Sequence, residues 1–501
     1  MSHSSSPGRW AVWICAVVLC FPGTLRAGDL PRATPESQGV STLALSKFVV
    51  ALDEIKFRSP TDSLHSVMLL RHGHVIAEAW WTPYDADTTH QLYSLSKSFT
   101  STAVGLAIAD GKLSVDDEVL KFFPDAAPSE PSANLKSMRV SDLLRMSTGH
   151  QIEPARPLDA SWTKTFLAQP VPFKPGTHFL YNTSATYMQS AIVQKVTGQT
   201  TRDYLLSKLF EPLNIKEPKW EISPEGVTTG GYGLNLRTED IAKFGQLYLQ
   251  RGKWHGKQLV PSDWVDAATA RQTSNGSSPK SDWDQGYGYQ FWRCRHGAYR
   301  GDGAFGQYCV VLPEQDAVLV MTSGIPDMQS VLNVVWDKLL PAFEKDPLPK
   351  ASDVDQFAWT KLQKSLVLKT PTPGDAKGEF GKTYKFDDND RKLESVRFEH
   401  GDDGKSTTLV ARIAGVERKI ACPIGEWKHD RLAWGALAEQ PIAACGAWTD
   451  EKTFVAQLCF VETPFTATLT FTRTPEGLKL EAKQNVGFGK TADTPIVGKA
   501  E

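Results

Sequence analysis

Few of the features that usually identify a protein at a glance are present in this chain. Seven cysteines in 501 residues, none in a Cys-x-x-Cys pair, exclude a zinc ribbon and a dense disulfide scaffold. No sign of charge prevails. The net charge of −2 excludes nucleic acid or an anionic membrane surface as the main partner. No apolar run reaches the roughly 20 residues that span a bilayer. Hydrolase signatures are missing too. There is no Gly-x-Ser-x-Gly elbow, no His-Glu-x-x-His pair and no Ser-Asp-Asn tripeptide, which removes the usual α/β-hydrolase reading and a metalloprotease of that type.

The N-terminus does carry a signal. Arg9 precedes the apolar stretch Trp10–Phe21, Pro22-Gly23 ends it, and Leu25-Arg-Ala27 offers an imperfect small-residue cleavage site. This reads as a secretory signal peptide over residues 1–27, with a retained membrane anchor as the alternative. Leu19 before Cys20 speaks against a lipoprotein site. Five cysteines then remain: Cys294, Cys309, Cys422, Cys445 and Cys459. They are compatible with one or two disulfides or with buried free thiols.

From residue 28 to about 345 the pattern gives strands and a helix, then mostly helices, then strands and a helix. Ser66–Leu70 and Val75–Trp80 read as a hairpin through Arg71-His-Gly-His74, and His72 and His74 as its solvated tip. Helices are expected over Leu43–Phe57, Ser141–Met146, Ser184–Thr197, Thr201–Leu209, Thr238–Gln250, Ser262–Ala268 and Met328–Phe343. Strands are expected over Tyr287–Cys294, Tyr299–Gly301, Gln307–Leu312 and Ala317–Ser323. One sheet that gathers both ends, beside a helical lobe, leaves a cleft between them for a substrate. Residues 346–374 form a Pro-rich linker around one short helix. Residues 375–490 alternate with period two, for example in Thr408–Ile413 and Thr466–Thr472, which predicts a small antiparallel β-barrel or sandwich; a tail of 491–501 follows. Phe380-Gly-Lys-Thr383 and Phe488-Gly-Lys-Thr491 echo each other, as paired first and last strands would. Asp387–Asp390 lacks the Gly and closing Glu of a calcium loop and reads as a solvated turn.

Chemistry concentrates in Leu92–Ser101. Ser94 and Lys97 lie three residues apart where an extended segment turns into a long apolar helix, so hydroxyl and amine share one face of its first turn. Such a pair makes a nucleophile with a basic neighbour. Ser-x-x-Lys recurs as Ser161/Lys164 and Ser277/Lys280, both in polar loops, so the tetrapeptide alone also fits a capped helix start. Tyr181, at a strand-to-helix junction after Lys174–Leu180, is a candidate second proton carrier or a core aromatic with a satisfied hydroxyl.

Several stretches together resemble the serine β-lactamase/penicillin-binding-protein superfamily, most closely its class C-like branch of esterases and 6-aminohexanoate-oligomer hydrolases. They are Tyr93–Ser101, Gly111–Asp117, Val140–Gly149, Pro175–Tyr181, Gly233–Gly245 and Gly303–Gln307, in the family's order. The likeness implies an α+β hydrolase domain over 28–345, and the C-terminal β-domain resembles lipocalin-like appendages. It implies Ser94 as the acylated nucleophile, Lys97 as its partner, Tyr181 as the proton shuttle, and an oxyanion hole from the N–H groups of Ser94 and Ala304. Gly301-Asp302-Gly303 falls where the family has Lys-Thr-Gly, and Thr183 stands for the asparagine of Tyr-x-Asn, which makes these four the substrate-binding positions. Both replacements count against efficient β-lactam hydrolysis and leave a less demanding ester or amide open, with Gly301 leaving room for a bulkier acyl group. No cofactor or metal is implied. The expected partner is a small ester or amide, outside the cytoplasm, with membrane contact only through an uncleaved leader. Two alternatives remain: a non-catalytic penicillin-recognising or peptidoglycan-binding protein, and a D-aminopeptidase or transacylase acting on cell-wall peptides.

Overall fold

The central sheet is made of strands with both faces covered, and alternate side chains divide between two cores. A computed structural model describes residues 30–57, 62–375, 378, 380–401, 406–434 and 438–501; the expected leader over 1–27 lies outside them. Strands β1 (Ser63–Arg71) and β2 (His74–Trp80) form the hairpin, with His72 and Gly73 at its tip in the left-handed region. They join β3 (Trp292–Arg293), β4 (Tyr299–Gly303), β5 (Gln307–Leu312) and β6 (Ala317–Gly324) in the order β2-β1-β6-β5-β4-β3, antiparallel throughout. Met68, Leu70, Cys309, Val311, Val318 and Val320 enter one core with the helical lobe. Val67, Leu69, Tyr308, Val310, Leu319 and Met321 enter the other. A strand buried on both faces reads as an unbroken apolar run, as Val67–Leu70 and Ala317–Met321 do.

The helical lobe is built around α2 (Ser96–Ala109), α3 (Thr183–Thr197) and α4 (Thr238–Leu249), while α1 (Thr42–Asp53) packs on the opposite face of the sheet. Helix α2 is hydroxyl-rich yet buried along most of its length, because its hydroxyls are spent on neighbouring backbone. Ser98 donates to the Gln290 carbonyl (2.8 Å), Thr100 to Gly230 (2.8 Å) and Ser101 to Tyr289 (2.7 Å). These bonds satisfy buried donors and tie α2 to two loops.

Three expectations need adjustment. Only Trp292–Arg293 of the expected 287–294 strand joins the sheet. The helix expected over 328–343 is α-helical to Val334, then widens into a π turn over Val335–Leu339. The FGKT echoes do not face one another: Phe380 is buried in the barrel core, whereas Phe488 lies exposed in a loop. The five cysteines among the described residues are buried free thiols, one of the two readings their number allowed.

The C-terminal part is a ten-stranded antiparallel sheet that nearly closes on itself. Its first and last strands, β7 (Tyr384–Lys385) and β8 (Ile496–Ala500) in this description, do pair. The sheet is not a free appendage. Ala443, Cys459 and Val461 join the core under the six-stranded sheet. Tyr84 donates to the Thr463 carbonyl at 3.0 Å, and the Gln91 N–H to Glu462 O at 2.8 Å. The linker is pinned as well: Thr82 and Leu368 exchange a backbone bond of 2.8 Å, and Leu366 and Leu368 are buried in the same core.

Phe99 anchors α2. It is fully buried and its ring stacks on Phe244 at 3.9 Å. Phe99→Ala is therefore expected to cost about 3–5 kcal/mol of unfolding free energy, measured by urea denaturation.

Candidate active site

Ser94 sits in a single 3₁₀ turn, Tyr93–Leu95, just before α2, one turn short of Lys97. Tyr93 enters this turn with φ of 47°, a left-handed conformation that costs a non-glycine residue about 1–3 kcal/mol and is found at functional sites. The turn is wedged against the end of β4. A Cβ on Gly303 would come within 2.0 Å of the Leu92 carbonyl, so glycine at 303 is what allows the Ser94 turn and this strand to touch.

The amine of Lys97 is almost completely shielded from solvent, at 1% exposure. It lies 3.0 Å from Ser94 Oγ, 2.8 Å from the Gly231 carbonyl and 3.3 Å from Thr183 Oγ1. Burial disfavours the ammonium form and brings its pKa down to about 7; Arg156 adds to the fall, while Glu153 and Asp302 resist it. This geometry suits a neutral amine. Two N–H bonds go to Gly231 O and Thr183 Oγ1, and the lone pair is left for the Ser94 hydroxyl proton. Tyr181 approaches the same serine from the other side. Its ring stacks on Trp292 at 5.3 Å, Lys97 Nζ stands 5.0 Å from its centroid, and the Ser94 side chain is among the groups that act on its phenol. Burial first, and the Asp302 carboxylate second, push the phenol pKa upward. Tyr181 therefore keeps its proton at neutral pH.

Thr183 opens α3, behind the N-cap Asn182, whose Oδ1 accepts from Ala185 N at 3.0 Å. Its side chain faces Lys97, and its N–H donates to Glu153 Oε1 at 3.0 Å. Asp302 is buried and committed to Arg300, whose Nε lies 2.9 Å from Oδ2. The room expected beside Gly301 is absent. A Cβ there would meet Leu95 Cδ1 at 2.4 Å and Ser98 Oγ at 2.6 Å, so the missing side chain is replaced by the packing of α2 and not by space. Ala304 follows β4 in the turn Gly303–Gly306, closed by a Gly306 N to Gly303 O bond of 3.2 Å with Phe305 at φ 66°. Gln307 Nε2 holds the Ala304 carbonyl at 3.0 Å, and Ser323 Oγ holds those of Phe305 and Gly306 at 2.8 and 2.9 Å.

Sequence reading missed what surrounds the amine. Gly230-Gly231 brings a carbonyl to Lys97: a Cβ on Gly231 would strike Thr183 Cγ2 at 2.5 Å, and one on Gly230 would strike Ser190 Cβ at 2.8 Å. Adjacent glycines were the available signal. The pair Glu153–Arg156, 2.5 Å apart beside Thr183 and Ser184, carried none. The two other Ser-x-x-Lys stretches stay away from this site. Ser161 is a helix cap, accepting from Lys164 N at 3.1 Å, and Ser277/Lys280 lies in an exposed loop.

Residues 65–331 match the family model described as Beta-lactamase. A 6-aminohexanoate-dimer hydrolase of Paenarthrobacter ureafaciens is 25% identical over 337 residues, 60% of this chain and 83% of that protein. A lovastatin esterase of Penicillium rubens is 23% identical over 232 residues, 39% of this chain and 57% of that one. Among solved structures, one described as "Putative 6-aminohexanoate-dimer hydrolase from Bacillus anthracis" superposes with a TM-score of 0.51. It is 19% identical and the match covers 64% of this chain and 89% of the other, a likeness of fold.

A lysine with a depressed pKa is uncharged above that value and protonated below it. Phosphonylation of Ser94 by an activated phosphonate, followed by intact mass, is expected to speed up as pH rises through about 7 and to fall away in acid. Lys97→Arg, permanently charged, is expected to abolish that rise and slow labelling by about 10²-fold or more.

Proposed function

The chain belongs to the β-lactamase family, and on that footing we propose that it is a serine hydrolase that cleaves an ester or amide through an acyl-enzyme on Ser94. The observation that carries this reading is the buried Lys97 amine, with its pKa brought to about 7, 3.0 Å from Ser94 Oγ and 5.0 Å from the Tyr181 ring centroid. A structural lysine would be paired with a carboxylate. This one is surrounded by a carbonyl and two hydroxyls, which leaves it free to take a proton.

The roles divide by pKa. Lys97 removes the Ser94 proton as Oγ attacks the carbonyl carbon. The negative charge on the substrate oxygen falls to the N–H groups of Ser94 and Ala304, two preorganised donors that contribute about 3–4 kcal/mol each to transition-state stabilisation. Tyr181, held protonated, gives its proton to the departing alcohol or amine and is resupplied from the Lys97 ammonium. Water then repeats the sequence on the acyl-enzyme, and Ser94 is restored. Thr183 orients the Lys97 amine, and Gly303 brings the oxyanion strand to the nucleophile turn. Export is supported by the Arg9–Ala27 segment alone.

Two substitutions test this. Ser94→Ala is expected to reduce turnover of p-nitrophenyl acetate by at least about 10³-fold; activity that survives at wild-type level would sink the assignment. Tyr181→Phe separates acid from base. A nitrophenolate leaves without a proton, whereas an alkoxide or amine does not, so the variant should lose about 10²-fold on an alkyl ester or amide and distinctly less on the nitrophenyl ester. Equal losses on both would show that the tyrosine is not the acid.

A further inference from the structure

Four aromatic rings cluster on the residues that flank Ser94 and Ala304 in the chain, and two of them belong to the C-terminal barrel. Tyr93 immediately precedes the nucleophile and Phe305 immediately follows Ala304. Their ring centroids are 5.6 Å apart, edge to face. Phe465, which ends the loop leading out of the barrel strand Thr453–Cys459, lies 6.4 Å from Tyr93 and 5.9 Å from Phe305. Phe488, on the loop between barrel strand Gly477–Gln484 and β8, lies 5.6 Å from Tyr93 and 4.9 Å from Phe305. Both hydrolase rings sit on residues forced into positive φ, 47° and 66°, so these side chains are aimed by backbone that is itself part of the reacting site. Phe488 remains 77% exposed in spite of its contacts. A large ring held by neighbours with most of its surface in water is an unfinished apolar surface.

Beside this rim lies a cavity of about 380 Å³ lined by Gln91, Tyr93 and Asn235 from the hydrolase part and by Phe460, Glu462 and Phe465 from the barrel. That size falls in the range of small-molecule sites, which favour domain junctions. Its one carboxylate is already engaged, with Thr89 Oγ1 at 3.0 Å and Lys219 Nζ at 3.3 Å. It therefore offers no free charge to a ligand, and the walls suit an uncharged group.

We propose that the barrel completes the substrate site, with Phe465 and Phe488 joining Tyr93 and Phe305 to grip an alkyl or aryl group next to the carbonyl that Ser94 attacks. The substrate class is then an uncharged ester or amide with a sizeable apolar substituent, and the C-terminal part acts in specificity as well as in stability. The inference rests on Ser94 as the acylated residue.

The test uses the full chain and p-nitrophenyl esters of acetate, butyrate and hexanoate, with a parallel series of acetate esters of longer alcohols. Wild type should gain in kcat/KM along one series. Phe488→Ala, at an exposed position where the fold and melting temperature should hold, is expected to cut the hexanoate-to-acetate ratio (or its alcohol counterpart) by about tenfold, chiefly through KM. Phe465→Ala should act in the same direction, and Phe488→Leu should restore most of the preference. An unchanged chain-length preference in both series overturns the inference. Mass spectrometry after a hexylphosphonate p-nitrophenyl ester keeps the two readings apart. A label on Ser94 with unaltered preference defeats the aromatic rim alone, whereas a label elsewhere defeats the acyl-enzyme reading and the rim with it.

Discussion

The site depends on keeping one amine out of water. An exposed lysine near pH 7 is an ammonium, with no lone pair to offer a serine. Lys97 is different because α2, the start of α3 and the Gly230-Gly231 loop close around it, and each contact requires a precise local concession. Gly231 must lack a side chain to let its carbonyl reach Nζ. Thr183 must begin α3 where Asn182 caps it. The hydroxyls along α2 must find partners on loops 230 and 289–290, or the helix could not be buried at all. The hydrophobic core of the helical lobe therefore does electrostatic work: without its burial the amine would stay charged, and the nucleophile proposed at Ser94 would have no base.

Much of the candidate site was legible in the sequence because the proposed nucleophile and base are local. Ser94 and Lys97 sit one helical turn apart, and Tyr181 stands at a junction marked by Pro175-Gly176. What was not legible is what three-dimensional closure contributes. The adjacent glycines at 230-231 mark a close approach without saying to what, and nothing at Glu153 marks one at all, although Lys97 lies 134 and 56 positions away along the chain. Gly301 shows the opposite error. A small residue suggests space when read along a strand, but here it marks the closest approach of strand and helix, with Leu95 and Ser98 filling the volume.

The fold divides along the same line. Period-two alternation in Thr408–Ile413 and Thr466–Thr472 gave those barrel strands away, since one face looks inward and the other to solvent. Gln440–Asp450 shows no such alternation: Ile442 to Trp448 are all buried. Ala443 faces the hydrolase core while Ala444 and Trp448 face the barrel core. A strand sandwiched between two bodies loses the polar half of its pattern, so its silence in the sequence is itself a consequence of how tightly the two parts pack.

Asp302 raises the sharpest question about this arrangement, because one buried carboxylate acts on both proposed proton carriers. It favours a protonated Tyr181, which an acid needs, and it also favours a charged Lys97, which a base must avoid. The conflict is settled by magnitude and by Arg300. The guanidinium holds Asp302 with Nε at 2.9 Å, and it is anchored in turn over Trp283 at 4.4 Å and to the Asp282 carbonyl at 2.7 Å. A carboxylate paired that closely projects only a weakened field. For Lys97 the pull of Asp302 ranks behind burial and behind Glu153 and Arg156, so the amine stays near neutrality; for Tyr181 burial and the carboxylate push the same way and reinforce one another. Pairing Asp302 with a fixed arginine thus lets one charge serve the proposed acid without disarming the proposed base, and it accounts for a fully buried arginine two positions before Asp302 on the same strand.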